Sequence, residues 1–190
     1  ALELAHRATN ICGQIFMFGI VTGRAERNPA VDLQGALKTV RTVNFSHLQG
    51  CELPEFLKKL EAYQGNRQFQ LALKLLILTF VRTAEIRGAV WSEIDFDKAE
   101  WRIPAERMKM RRGHIVPLSH QALIILKELK LMNGHWNHVF PHPWKPIKCM
   151  SENGILSVIY RLGYKGKTTG HGFRHTASTI LNEHGFHPDY

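Results

Sequence analysis

The sequence has few cysteines, no long apolar run and too few acidic residues to balance its basic ones. Three cysteines in 190 residues, far apart and odd in number, predict reduced thiols in a cytoplasmic protein. No apolar run approaches the roughly 18–20 residues that cross a bilayer, so we expect no transmembrane helix. The N-terminus lacks a signal-peptide pattern. Because the first residue is Ala1 and not methionine, we expect a piece of a longer protein.

Several motifs that mark common enzyme classes are also missing. There is no glycine-rich phosphate-binding loop, which argues against a kinase or an ATPase. There is no Gly-x-Ser-x-Gly elbow, so a serine hydrolase lacks support. Histidines and Cys149 between residues 135 and 149 could bind zinc, but their spacing matches no compact metal-binding pattern. The sequence therefore predicts no metal site.

The formal net charge of +9 is concentrated in one part of the chain. Residues 102–148 hold nine basic and two acidic side chains, and Arg107–Arg112 is the densest stretch. A basic cluster of this kind is either a solvated turn or a loop that contacts phosphates. Charge alone leaves both interpretations open.

Apolar periodicity predicts a mainly helical protein with one small three-stranded antiparallel β-sheet. The strands are expected at 93–96, 100–103 and 114–118, and residues 133–149 are interpreted as an irregular loop. The predicted helices end near Gly23, begin near Pro54 and after Ser119 and Ser151, and run from Arg67 to Phe80 and from His171 to Gly185.

Two short segments combine arginine with a second polar residue at helical spacing. Arg82 follows the most apolar predicted helix, and Glu85 comes three residues later. This pair either closes a helix end or holds a guanidinium toward a phosphate. His171 and Arg174 open a predicted helix, where backbone N–H groups favour an anion. The alternative is a capping histidine beside a surface arginine.

A lysine on a turn between two predicted strands supplies the third signal. Lys109 lies in the basic cluster between the second and third strands. Its ammonium could neutralise a phosphate or donate a proton to a departing oxygen. Each signal is modest alone, and their combination and order carry the interpretation.

Together these segments make the chain resemble the catalytic domain of a tyrosine recombinase of the prophage integrase type. Residues 79–91 (TFVRTAEIRGAVW) are similar to the family's first-arginine segment. Residues 107–119 (RMKMRRGHIVPLS) resemble its hairpin-lysine segment, and residues 171–179 (HGFRHTAST) resemble its His-x-x-Arg segment. The resemblance implies the DNA breaking–rejoining fold. It also implies three regions: the last helix of a core DNA-binding domain at 1–30, a linker at 31–50 and a catalytic domain at 51–190.

The resemblance implies site-specific recombination of DNA through a 3′-phosphotyrosyl intermediate, without a cofactor. Arg82 and Arg174 would bind the non-bridging phosphate oxygens, and Lys109 would be the general acid. His171 would assist proton transfer, and Glu85 would orient Arg82. Further DNA contacts are expected from residues of the basic cluster and of the loop before His171. These residues are Arg107, Arg111, Arg112, His114, Lys167 and Thr168.

The resemblance also fixes expectations for the nucleophile and the partners. The family's tyrosine lies well beyond its His-x-x-Arg segment, whereas Tyr190 is only 16 residues past Arg174. We therefore expect the nucleophile to be absent from this chain and the fragment alone to be inactive. The implied partners are duplex attachment sites and, for the full-length protein, a tetramer on DNA. The alternatives are a non-catalytic DNA-binding module and a type IB topoisomerase-like enzyme.

Overall fold

A computed structural model describes residues 2–33, 35–38, 46–108 and 110–186. The chain divides into two units, residues 1–44 and 45–190. The helices are α1 (Leu2–Val21), α2 (Leu53–Glu61), α3 (Arg67–Thr79), α4 (Thr83–Arg87), α5 (His120–Asn133), α6 (Asn153–Arg161) and α7 (Gly172–Glu183). The strands are β1 (Ile94–Asp95), β2 (Glu100–Ile103), β3 (His114–Pro117), β4 (Pro141–His142) and β5 (Lys145–Cys149). No helix in the described ranges is long and apolar enough to cross a membrane.

The first unit is one long helix with a short 3-10 turn, Pro29–Leu33, folded back against it. The Asn28 side-chain amide donates to the Gly13 carbonyl at 3.1 Å and holds the turn against the helix. The helix is confirmed, and its predicted apolar face is exposed at Ile11, Ile15 and Phe18. Packing within this unit alone therefore leaves the apolar face uncovered.

Helix α3 forms the centre of the second unit. The Asn66 side chain caps its start by accepting the Phe69 N–H at 3.1 Å, as a short polar residue does at an N-cap. The helix is buried along Leu71–Leu76 apart from the half-buried Lys74 and packs against α5 and α6. Its apolar sequence therefore predicted its central place correctly.

The three-stranded sheet is antiparallel in the order β1-β2-β3. Trp101 of β2 pairs with Val116 of β3, and both are buried. The alternation of buried and exposed residues along β2 explains why sequence periodicity detects this sheet. The predicted fold class, mainly helical with a small antiparallel sheet, is confirmed.

The structure differs from the sequence interpretation at residues 133–149. This segment contains an antiparallel hairpin formed by β4 and β5, with a register shift at Pro141 and His142, where an irregular loop was predicted. Prolines at 141, 143 and 146 make the hairpin hard to predict from sequence, because proline is depleted in strands and cannot donate to a ladder. A second, two-stranded sheet is therefore added to the predicted fold.

Candidate active site

Arg82 lies in the short link between α3 and α4. The chain leaves α3 through Phe80 in the left-handed conformation (φ 52°), and Arg82 is the N-cap residue of α4. One Glu85 carboxylate oxygen accepts from the Arg82 guanidinium at 2.7 Å, and the other accepts from the Arg82 backbone N–H at 2.7 Å. The Glu85 side chain is 5% exposed and that of Arg82 is 39% exposed. A buried carboxylate thus holds a guanidinium that remains accessible to solvent.

Arg174 of α7 reaches the same link from the other end of the chain. Its guanidinium donates to the Phe80 carbonyl, two residues before Arg82. Helix α7 is held in place by Phe173, whose ring lies 5.1 Å from that of Phe56, centroid to centroid, in the core. The Thr176 hydroxyl adds a 2.7 Å hydrogen bond to the Leu48 carbonyl. The fold therefore brings the two predicted arginine segments together.

His171 begins α7 beside both arginines. Burial lowers the pKa of its imidazole from the usual 6.5, and the positive charges of His175, Arg174 and Arg82 lower it further. The His171 and His175 rings are 5.3 Å apart, centroid to centroid. We call Arg82, His171, Arg174 and His175 the cationic cluster. Two guanidinium groups beside two imidazoles that can donate hydrogen bonds indicate a site for an anion.

Two glycines allow the loop before α7 to approach its neighbours. A Cβ on Gly170 would lie 2.4 Å from Cγ2 of Thr83, at the start of α4. A Cβ on Gly172 would lie 2.6 Å from both the Ser46 carbonyl oxygen and the Thr168 hydroxyl. Thr168 belongs to this loop and is fully buried, so the structure does not place it at the surface, where a DNA contact would be made.

The basic residues after β2 differ in their environments. Arg111, Arg112 and His114 are exposed, as a DNA-contacting surface requires. The Arg107 guanidinium points inward, donating to the carboxylate of Glu93 and, at 2.7 Å, to the Glu85 carbonyl.

Of the three remaining candidate residues, Lys109, Lys167 and Tyr190, the structure describes only Lys167. Lys109 lies outside the described residues, so its predicted role stays a prediction. Lys167 is exposed, with its ammonium 5.8 Å from the centroid of the Tyr164 ring. Tyr190 also lies outside the described residues.

Sequence reasoning missed two histidines near the site. His175 lies one turn after His171 on α7, and this spacing could have indicated it. The His47 ring is 5.8 Å from that of His175, centroid to centroid. No local sequence signal identifies His47, because it precedes α7 by more than 120 residues. Within the described residues, no group of three or more His, Cys, Asp or Glu could hold a metal ion.

Two protein-family models match different parts of the chain. The model of the phage integrase family matches residues 47–190, and that of the phage integrase central domain matches residues 1–36. The chain belongs to the phage integrase family, whose members are tyrosine recombinases.

Named relatives support the same assignment. The chain is 40% identical to the integrase of Enterobacteria phage P4, across 98% of the chain and 46% of that protein. It is 40% identical to the prophage integrase IntS of Escherichia coli K12, across 100% of the chain and 49% of IntS. The chain thus spans about half the length of the curated relatives it matches.

Two solved integrases share the fold. A Tn1549 transposon integrase bound to circular intermediate DNA matches with a TM-score of 0.72 and 17% identity, over 100% of this chain and 69% of that one. A lambda integrase dimer bound to a core site matches with a TM-score of 0.70 and 18% identity, over 94% and 64%. At these identities the likeness shows the fold alone.

Proposed function

We propose that the protein carries out site-specific recombination of DNA, integrating or excising a prophage. The main support is the convergence of Arg82, His171 and Arg174, from two distant segments, on one accessible surface with a buried carboxylate behind it. This arrangement can bind a phosphodiester and stabilise the charge that develops during its cleavage.

In the proposed cleavage step, a tyrosine oxygen attacks the scissile phosphorus. A 3′-phosphotyrosyl bond forms, and the bond to the 5′ oxygen breaks. Arg82 and Arg174 hold the two non-bridging oxygens, because guanidinium groups match phosphate geometry. Lys109 gives a proton to the departing 5′ oxygen, and His171 assists proton transfer. We propose that the nucleophilic tyrosine is not among those of this chain.

The proposed substrates are two duplex attachment sites. The 5′-hydroxyl of one strand attacks the phosphotyrosyl bond of the other, which restores the DNA backbone and releases the tyrosine. The covalent bond conserves the energy of the phosphodiester, so no cofactor is consumed. One solved relative is a lambda integrase tetramer bound to a Holliday junction. We propose a tetramer on DNA for the full-length protein also, acting in the cytoplasm on a bacterial chromosome.

The proposal is tested by binding of the 190-residue chain to a short duplex across a salt series. Each phosphate contact contributes about −0.9 to the slope of log K against log salt. We expect Arg82→Ala, Lys109→Ala and Arg174→Ala each to weaken binding and reduce this slope by about one. Lys127→Ala, at an exposed site on α5, serves as the charge-matched control. If the three variants bind like the parent chain and the control, these groups do not contact the DNA backbone.

A further inference from the structure

Arg107 lies in the basic stretch after β2, yet its side chain is only 23% exposed. Its guanidinium donates to both carboxylate oxygens of Glu93. The same guanidinium donates to the Glu85 backbone carbonyl at 2.7 Å. These contacts engage both terminal nitrogens of the guanidinium and direct it toward the protein interior. Arg107 therefore has a different environment from its exposed neighbour Arg111.

The Glu93 carboxylate connects Arg107 to the sheet. It is 7% exposed and also accepts from the indole N–H of Trp101 at 3.0 Å. Trp101 is fully buried in the middle of β2. A buried carboxylate is costly unless charged and polar partners satisfy it. Glu93 thus fixes the position of the Arg107 guanidinium relative to the sheet.

The bond to Glu85 connects Arg107 to the first arginine. The Glu85 carbonyl belongs to the last turn of α4, where carbonyls lack intrahelical partners, and a cation there also complements the helix dipole. The side chain of the same Glu85 holds Arg82 by two hydrogen bonds. A continuous path therefore runs from Trp101 through Glu93, Arg107 and Glu85 to Arg82.

We propose that Arg107 is a positioning residue for Arg82. It anchors α4 to the three-stranded sheet, and through Glu85 it keeps the Arg82 guanidinium in the cationic cluster. This inference rests on the proposed function, since it assumes that Arg82 binds a DNA phosphate. It replaces the expectation that Arg107 itself contacts DNA.

The direction in which Glu93→Gln changes the affinity for DNA tests the proposal. Removing a negative charge from a DNA-binding protein strengthens binding by simple electrostatics. The positioning role predicts the opposite, because a neutral amide holds Arg107 less firmly. We expect Glu93→Gln to weaken duplex binding by roughly three- to tenfold. Unchanged or tighter binding would overturn the proposal.

Arg107→Lys separates positioning from a direct phosphate contact. Lysine keeps the charge but cannot reproduce the forked geometry of the guanidinium. We expect Arg107→Lys to bind DNA as weakly as Arg107→Ala, whereas Arg111→Lys, the matched control, retains most of the affinity that Arg111→Ala loses. Parent-like binding by Arg107→Lys, with a salt slope reduced by about one in Arg107→Ala, would identify a direct contact instead.

The pKa of His171, followed by NMR, distinguishes positioning from a general loss of stability. Arg82 contributes to the lowered pKa of His171. We expect Arg107→Lys and Glu93→Gln to raise this pKa in the same direction as Arg82→Ala. A His171 pKa unchanged in folded variants would leave Arg107 a merely structural role and overturn the proposal.

Two further comparisons distinguish failure of the positioning role from failure to fold and from failure of the proposed function. Gly88→Ala alters no charge, but its Cβ would lie 2.9 Å from a guanidinium nitrogen of Arg107. If Arg107→Lys fails to fold, Gly88→Ala and Glu93→Gln test the proposal in its place. Weaker duplex binding by both supports the positioning role, and unchanged binding contradicts it. If Arg82→Ala and Arg174→Ala leave DNA binding unchanged, the proposed function itself fails. If these two weaken binding but the Arg107 and Glu93 variants do not, only the positioning role fails.

Discussion

At the scale of single residues, the site depends on a buried carboxylate beneath an accessible guanidinium. The spacing of Arg82 and Glu85 predicted their contact, and the structure confirms it. Arg82 is more than a third exposed, so solvent screens its charge and the ion pair adds little stability. The larger contribution comes from Glu85 accepting a backbone N–H at the start of α4.

We predict that Glu85→Ala destabilises the fold by about 1–3 kcal/mol, because it removes the acceptor of a part-buried N–H. Urea denaturation followed by circular dichroism measures the change. Glu152→Ala is the matched control: its carboxylate pairs with Arg87 but is 84% exposed. This control is expected to change stability by less than about 0.5 kcal/mol. Equal effects of the two substitutions would contradict the structural role of Glu85.

We predict that His171 makes DNA binding depend on pH. In the free protein its pKa lies below the usual 6.5, through burial and then the charges on His175, Arg174 and Arg82. A bound phosphate favours the imidazolium and raises that pKa. The bound state then takes up a proton, so we predict that duplex affinity increases as the pH falls from the pKa of the bound state to the lower pKa of the free protein.

Fluorescence anisotropy at constant ionic strength measures this dependence. His171→Gln is expected to reduce it, and His175→Gln shows how much belongs to the second imidazole. A pH dependence that is the same in His171→Gln as in the parent chain would show that His171 does not face the phosphate.

At the scale of secondary-structure elements, the site depends on the close approach of α7 to the segment before α2. Gly172 allows that approach, because a Cβ there would meet the Ser46 carbonyl oxygen at 2.6 Å. We predict that Gly172→Ala lowers the free energy of unfolding by about 1–3 kcal/mol through overpacking. Gly113→Ala is the control, since its Cβ would meet only the Ile103 carbonyl oxygen at 3.7 Å. Thermal denaturation of the two variants would contradict this account if Gly172→Ala were the less harmful.

Sequence patterns predicted those elements in which apolar residues recur with the period of the helix or strand. Helix α3 is apolar along Leu71–Leu78 apart from Lys74, and β2 alternates buried and exposed residues. The hairpin of β4 and β5 was missed because its prolines are typical of a loop. The inward direction of Arg107 was also missed, because its partner Glu93 is 14 residues away and becomes its neighbour only when the sheet forms. Neither feature has a local signal.

At the scale of the whole molecule, the excess positive charge and the cationic cluster belong to the same unit. Residues 102–148 carry most of the net charge of +9, and the first-arginine and His-x-x-Arg segments lie before and after them. A general positive field attracts DNA without reading its sequence, whereas the cluster can hold one phosphate. We therefore expect exposed groups such as Arg111 and Arg112 to attract DNA, and Arg82 and Arg174 to bind one phosphate.

A double-mutant cycle on duplex binding tests whether Arg82 and Arg174 hold the same phosphate. Dissociation constants are compared at one salt concentration for the parent chain, Arg82→Ala, Arg174→Ala and the double variant. If both guanidinium groups hold the same phosphate, removing one weakens the contact that the other makes with it. The double variant then loses less affinity than the product of the two single losses. Losses that multiply independently, or no loss in either single variant, would contradict a shared phosphate site.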